Sequence, residues 1–232
     1  MSFLARPFSI LLELLYNFVG NYGLSIIILS VVVRAAMYAV YKKQILSTAN
    51  SAEIQKRTRE IQQRYANDRE VMNTKLTEMY RETGYSPTAG CLPMIIQMVV
   101  IFGLFALFRN PLSYIGSDNM VFAVHEPFLW IKDLSQPDPW ILPILAAVAT
   151  FLAQNLTNKN NPQQMSGAMS FIMKYGFPVM FLWLARSYPS ALAIYWVISQ
   201  ILQIFFNLRF NQLKKQQAAA QAFANKKKKD GK

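Results

Sequence analysis

Five stretches of this sequence run for roughly 15–20 residues with almost no charge, about the length a helix needs to cross the hydrocarbon of a bilayer. That clumping limits the possible folds more than any other feature. Of 232 residues, 53% are hydrophobic and only 16% charged, too apolar a balance for a soluble globule of this length. The spacing predicts spans at 22–41, 90–108, 139–156, 171–185 and 190–208. Only Arg186-Ser-Tyr-Pro-Ser separates the last two, so they form a tight antiparallel pair. Pro93, Pro143 and Pro178 fall inside spans, where neighbouring helices resatisfy the freed carbonyls. Within an outer segment 1–21, residues 8–19 read as an amphipathic helix lying in the interface plane, with Glu13 and Asn17 on its wet face. A signal peptide would begin more basic and carry a small-residue cleavage site; neither is present.

Charge sets the orientation. The 24 Lys and Arg against 12 Asp and Glu give a net charge of +12, unevenly placed. Segment 42–88 holds nine basic residues, segment 157–170 holds Lys159, and the tail 209–232 holds eight. The alternate loops hold only four, namely Arg6, Arg109, Lys132 and Arg186. The excess belongs on the cytoplasmic side, which places the N-terminus outside and the C-terminus inside. Trp130 and Trp140 then flank the outer end of the third span.

The two long loops differ in character. In 42–88, Ile54, Ile61 and Tyr65 recur at helical spacing, as do Met72, Leu76, Met79 and Tyr80, with a turn at Asn67-Asp68. This predicts a cytoplasmic hairpin of two antiparallel amphipathic helices. The loop 109–138, rich in proline and aromatics, rests on the outer membrane surface.

Scarcity excludes several chemistries. A single cysteine, Cys91, allows no internal disulfide or cysteine-based zinc cluster; packing as a small hydrophobe suits it. A single histidine, His125, falls in the outer loop as a surface residue and leaves hydrolase chemistry one candidate base. There is no GxxxxGK[ST] motif for nucleotide hydrolysis. No Asp or Glu lies in any of the five spans, which disfavours a proton relay, a transporter and an intramembrane enzyme.

Arg34 stands out against that background, about seven residues, or roughly 10 Å, from the cytoplasmic end of the first span. Its side chain either snorkels to the inner headgroups or faces a hydrated cavity among the helices. In the second case the charge is permanent, because arginine keeps its proton. Gln97, Gln154, Ser199, Gln200 and Gln203 add polar groups at membrane depth, serving as interhelical glue or as walls of such a cavity. Lys174, near the start of the fourth span, reads as a snorkelling residue. Lys226, Lys227, Lys228 and Lys229 form a tail suited to anionic lipid or to ribosomal RNA.

Several segments resemble the YidC/Oxa/Alb membrane protein insertases, most closely the bacterial YidC branch, over residues 7–212. They are NFVGNYGLSIIILSVVVR ending at Arg34, the charged hairpin, GCLPMIIQMVVIFGLF, DLSQPDPWILPIL and SYPSALAIYWVISQ. The resemblance implies an all-α, five-span membrane protein with a hydrophilic groove open to cytoplasm and lipid and closed to the outside. Arg34, Gln97, Gln154, Trp196, Ser199 and Gln200 would line or border that groove. It implies a monomer in the bacterial plasma membrane that inserts nascent membrane proteins, without cofactor, enzymatic chemistry or DNA. Ribosome and Sec translocon are the implied partners, with Lys226–Lys229 as contacts. Relatives often have proline where this chain has Ala39 and Val99, and asparagine where it has Gln200. Without the large outer domain and extra first span of many relatives, the sequence reads as a short form or a trimmed core. A small channel or anion transporter using Arg34 as its binding site is the rival reading.

Overall fold

The computed structural model describes residues 2–47, 51–83, 92–114, 116, 118–160 and 171–230. Cys91, the first residues of the second expected span, segment 161–170 and Lys232 lie outside the described residues. The described chain is helical, with one isolated bridge, Phe128 to Ile131. Its helices are α1 (Ser2–Val19), α2 (Tyr22–Ser47), α3 (Ser51–Arg64), α4 (Arg69–Thr83), α5 (Leu92–Arg109), α6 (Asp118–Ala123), α7 (Ile141–Asn160), α8 (Phe177–Ser187) and α9 (Ser190–Asp230). The chain divides into two compact units. One comprises Met1–Tyr38 with Ile96–Arg209, the other Ala39–Ile95 with Phe210–Lys232.

In the first unit, side-chain pairs fix the helix directions. Arg34 and Tyr38 of α2 meet Gln203 and Phe206 of α9, so these two helices run the same way. Thr150 and Thr157 of α7 meet Trp196 and Asn207, which makes α7 parallel to them as well. Gln97 and Phe105 of α5 meet Tyr195 and Tyr188, so α5 runs opposite. The α8 helix returns alongside α7, and its Phe181 stacks on Trp196. The core between them holds Leu12, Tyr22, Ile26, Leu29, Leu104, Leu107 and Tyr195, all fully buried. Ser25 and Ser30 join it because their hydroxyls donate back to the carbonyls four residues earlier, of Asn21 just before α2 and of Ile26 within it.

Three parallel helices present the orphan N–H groups of three N-termini at one end of the bundle. One loop satisfies them. Glu126 accepts from the Tyr22 N–H (2.8 Å) and the Tyr16 hydroxyl (2.6 Å), tying α1 to the start of α2. Asp138 accepts from the N–H groups of Trp140, just ahead of α7, and Leu142, in its first turn, and from the Trp130 indole at 2.7 Å. The carbonyls of Leu134 and Gln136 accept from Ala191 and Ser190 at the start of α9. Between α1 and α2 the chain turns at Gly20, whose φ of +69° is a left-handed conformation that costs a side-chain-bearing residue energy.

α1 packs across α5 at Gly103. A Cβ there would lie 2.7 Å from the Leu4 carbonyl oxygen and 2.7 Å from the Phe8 ring. Gly103→Val is therefore expected to displace α1 and lower thermal stability by about 1–3 kcal/mol or more, the usual range for overpacking. A melting curve unchanged from wild type would contradict this contact.

Several expectations need correction. Pro143 sits in the first turn of α7 rather than in a helix interior, whereas Pro178 follows the π-helical turn inside the continuous helical run 171–187, and Pro93 is the second described residue of α5. The missing N–H removes no hydrogen bond at Pro143, while at Pro178 it removes one, beside the wider π-helical turn that accommodates the ring. The fourth apolar stretch begins as a π-helical turn, Ile172–Gly176, before α8. α2 continues past residue 41, and α9 continues past 208 to Asp230, because Gln, Lys and Ala sustain a helix after the apolar run ends. α1 begins at Ser2; its Asn17 is exposed but Glu13 only half-exposed, and the exposed face is mainly apolar, with Phe3, Ile10, Leu14 and Phe18. By length and composition one described helix, Ser190–Gln212, suffices to cross a membrane. Tyr22–Tyr38, Ile95–Arg109 and Ile141–Thr157 are shorter apolar helices.

The second unit contains the expected hairpin. α3 and α4 pack together, with Ile54, Thr58 and Met79 buried. Asp68 starts α4 by accepting from the Val71 N–H through its carboxylate. The pairs Lys56–Glu60 and Lys75–Glu78 lie on exposed faces.

Candidate functional site: a buried arginine facing a polar line

Arg34 lies on α2 twelve residues after Tyr22, about 18 Å along the helix. It is only 3% exposed. Nη1 donates to Gln203 Oε1 at 3.0 Å, while Nε has no acceptor. No carboxylate lies within ion-pair distance among the described residues. Among the described residues the guanidinium, with its five N–H donors, thus stands inside a helix bundle with one neutral acceptor, Gln203.

Gln203 belongs to a line on α9. Tyr195, Ser199 and Gln203 follow at four-residue intervals and so share one face. Gln97 of α5 reaches Tyr195 by a long contact of 3.5 Å, leaving its Oε1 unpartnered. Ser199 is fully buried and its Oγ also lacks a partner. Four buried side-chain polar atoms are unmatched among the described residues, and three of them belong to Arg34, Gln97 and Ser199. Such groups each cost about 1–3 kcal/mol when kept dry, so their concentration along one line is informative.

The other residues singled out from the sequence fall elsewhere. Trp196 is 7% exposed, donates from Nε1 to Thr150 Oγ1 at 2.9 Å, and stacks on Phe181 with ring centroids 3.6 Å apart. It locks α7, α8 and α9 together, on a face of α9 adjoining the Arg34 line. Gln200 is buried and Gln154 half-buried. The polar line is therefore covered by helices in this conformation, not open as a trough. Lys174 lies over the Tyr175 ring. Lys226–Lys229 fall in the last turns of α9.

Sequence reading missed Gln203 as the arginine's partner, along with Thr150, Thr157 and Asn207. The seven-residue spacing of the threonines on α7, bracketing Gln154, was the available signal. It marks a polar stripe on one helix face.

The lone histidine does not complete a hydrolase triad. Asp133 Oδ2 (3.1 Å) and Ser135 Oγ (3.0 Å) both meet Nδ1 of His125, whereas a relay needs the nucleophile on the opposite ring nitrogen. The cluster braces the loop instead. Burial works to raise the Asp133 pKa, but hydrogen bonds from Ser135 and His125 outweigh it and leave the carboxyl below its ordinary value. A depressed carboxylate contributes stability above its ordinary pKa and loses it as pH falls through the folded value. Amide protection at 133–136, taken relative to the intrinsic exchange rate at each pH, is therefore expected to fall below the ordinary carboxylate pKa and stay level above it; protection lost only at higher pH would contradict this.

With this geometry in view, relatives can be compared. The sequence model of the 60Kd inner membrane protein family matches residues 14–218. A protein of Wolinella succinogenes named Membrane protein insertase YidC is 33% identical over 95% of this chain and 40% of its own length. One so named from Nitratidesulfovibrio vulgaris is 32% identical over 88% of the chain and 37% of its own length. Another from Fusobacterium nucleatum is 32% identical over 88% of this chain and 92% of its own length. The chain thus spans about two fifths of the first two relatives and nearly all of the third. The match covers the helices that carry Arg34, Gln97, Ser199 and Gln203, and it shows that the chain belongs to the 60Kd inner membrane protein family, that of the YidC membrane protein insertases.

Proposed function

We propose that the chain is a membrane protein insertase and chaperone of the bacterial inner membrane, helping hydrophobic segments and their short translocated tails into the bilayer. The observation that carries the reading is the buried, uncompensated guanidinium of Arg34 beside unmatched polar atoms of Gln97 and Ser199. Large apolar side chains on the bundle's surface support it. Phe102, Val148, Ile172, Val179, Trp183 and Phe205 are all at least half exposed. Hydrocarbon accepts that surface, while water would resist it at about 25 cal/mol per Å².

In this reading α2, α5, α7, the α8 segment and α9 cross the membrane, with the N-terminus outside and the C-terminus in the cytoplasm. Helices shorter than the average hydrocarbon thickness fit by local thinning of the bilayer. From the covered conformation the helices part so that the polar line opens toward the cytoplasm and sideways to lipid, and water enters to satisfy Arg34, Gln97 and Ser199. A substrate's polar tail stays hydrated in that space, which shortens the dry distance left to cross. Arg34 attracts an acidic tail where an ion pair counts for more than in bulk water. The substrate's apolar helix drives the process by entering lipid, and no nucleotide is hydrolysed. The hairpin α3–α4 and the Lys226–Lys229 turns meet ribosomes or targeting factors, and the Sec translocon assists.

Reconstitution tests this. Liposomes containing the purified protein, given a single-span substrate and no nucleotide, are expected to protect its tail from external protease well above protein-free liposomes. Equal protection in both, or a strict need for ATP, would overturn the proposal.

A further inference from the structure

Between α5, α8 and α9 the bundle leaves a half-open depression whose wall includes Ile101, Phe181, Ala185, Tyr188, Leu192 and Trp196. The wall is almost wholly hydrocarbon. The indole N–H of Trp196 is turned to Thr150, and its ring faces Phe181. A site with so few polar partners holds water poorly and hydrocarbon well.

Two arginines belong to the chain ends beside it, Arg186 where α8 turns into α9 and Arg109 at the end of α5. Arg186 follows the wall residue Ala185 directly, and its guanidinium lies 4.2 Å from the centroid of the Trp140 ring. Arg109 connects to the wall through Phe105. Its guanidinium is 5.7 Å from that ring's centroid, and the ring meets Tyr188 of the wall edge-on at 4.7 Å. Both arginines are exposed, and neither has a carboxylate partner among the described residues. Their positions at helix C-termini and over aromatic rings account for where the cations rest. A guanidinium beside an aromatic ring still has N–H donors to offer a phosphate.

We propose that this depression binds an anionic phospholipid, with one acyl chain against the apolar wall and the phosphate at Arg109 and Arg186. The charge of the two arginines and the hydrocarbon of the wall match the two ends of such a molecule. The proposal rests on the bundle lying in a bilayer, as the proposed function has it, and its test separates the two claims. Trp183 is 64% exposed on α8, while Trp196 is buried in the wall, so two single-tryptophan variants report different things. In nanodiscs with acyl-brominated lipid, quenching of Trp183 in the W130F/W140F/W196F protein reports embedding alone. Quenching of Trp196 in the W130F/W140F/W183F protein reports an acyl chain in the depression. Trp196 is expected to be quenched more by brominated phosphatidylglycerol than by brominated phosphatidylcholine, and Trp183 equally by both.

Because Trp130 braces Asp138 and Trp140 lies under Arg186, native mass spectrometry of the otherwise unaltered protein provides a second readout. It is expected to retain phosphatidylglycerol over phosphatidylcholine about fivefold, the scale of one cation near an anionic headgroup. The R109Q/R186Q variant is expected to lose that preference. Absence of Trp196 quenching while Trp183 is quenched, or equal retention of both lipids by the wild-type protein, would overturn the lipid site. Absence of Trp183 quenching would overturn the membrane reading beneath it.

Discussion

Arg34→Ala is expected to lower insertion of acidic-tailed, single-span substrates about tenfold, the equivalent of roughly 1.4 kcal/mol. That figure lies between the roughly 1 kcal/mol of an ion pair in bulk water and the roughly 4 kcal/mol of one near a protein surface. Neutral-tailed substrates should be affected less, since hydration by the polar line survives without the charge. Arg34→Lys should retain much of the activity, because an ammonium keeps the charge although it loses the planar fork that meets Gln203. Protease protection of the tail in liposomes reads all three. The variant should still fold, since a buried charge with one neutral partner costs stability more than it adds. Equal insertion by wild type and Arg34→Ala across acidic and neutral tails would discard the charge argument.

The second large effect is expected at Glu126, far from Arg34 in sequence and in role. Its two carboxylate oxygens serve two elements, Tyr16 of α1 and the first N–H of α2. Glu126→Ala leaves both donors without acceptors, at about 1–3 kcal/mol for each that is not rehydrated. In a chain of this size a stability loss of that order lowers the melting temperature by about 2–4 °C per kcal/mol. Glu126→Gln keeps one acceptor oxygen and should fall between wild type and Ala. Tyr16 offers an independent readout. The hydrogen bond to Glu126, then partial burial, then the nearby negative charge raise its pKa above the ordinary tyrosine value. The neutral phenol is therefore the form the fold favours, and its contribution persists at lower pH and disappears as pH rises through the raised value. In Glu126→Ala the Tyr16 titration should move back toward the ordinary value. A Tyr16 titration that stays put, together with an unchanged melting temperature, would contradict this role.

The residues show which parts of the structure the sequence could reveal. The hairpin was legible because Ile54, Ile61, Met72, Leu76 and Met79 repeat at helical spacing and Asn67-Asp68 marks the turn. The apolar segments were legible, but their ends were not. Hydropathy reports where lipid would stop, whereas α9 goes on through Gln, Lys and Ala to Asp230. On α1, Glu13 and Asn17 drew attention as polar residues, while Phe3, Ile10, Leu14 and Phe18 line the exposed face. The apolar side of α1 is broad and packing covers only part of it, so the pattern does not name the part left exposed. Arg34 announced itself as a charge in an apolar run. Its partner Gln203 is 169 residues away, and only the shared direction of α2 and α9 pairs them. The loop that caps three helices works partly through the carbonyls of Leu134 and Gln136, which leave no side-chain signature.

The central claim, that water from the cytoplasm reaches a fixed cation inside the bundle, is tested most directly at position 34. In a Cys91→Ser background, Arg34→Cys in inverted membrane vesicles should react with a membrane-impermeant maleimide. The same variant in right-side-out vesicles should not react. Silence from the cytoplasmic face in protein shown to be folded, or labelling from the outside, would contradict the account.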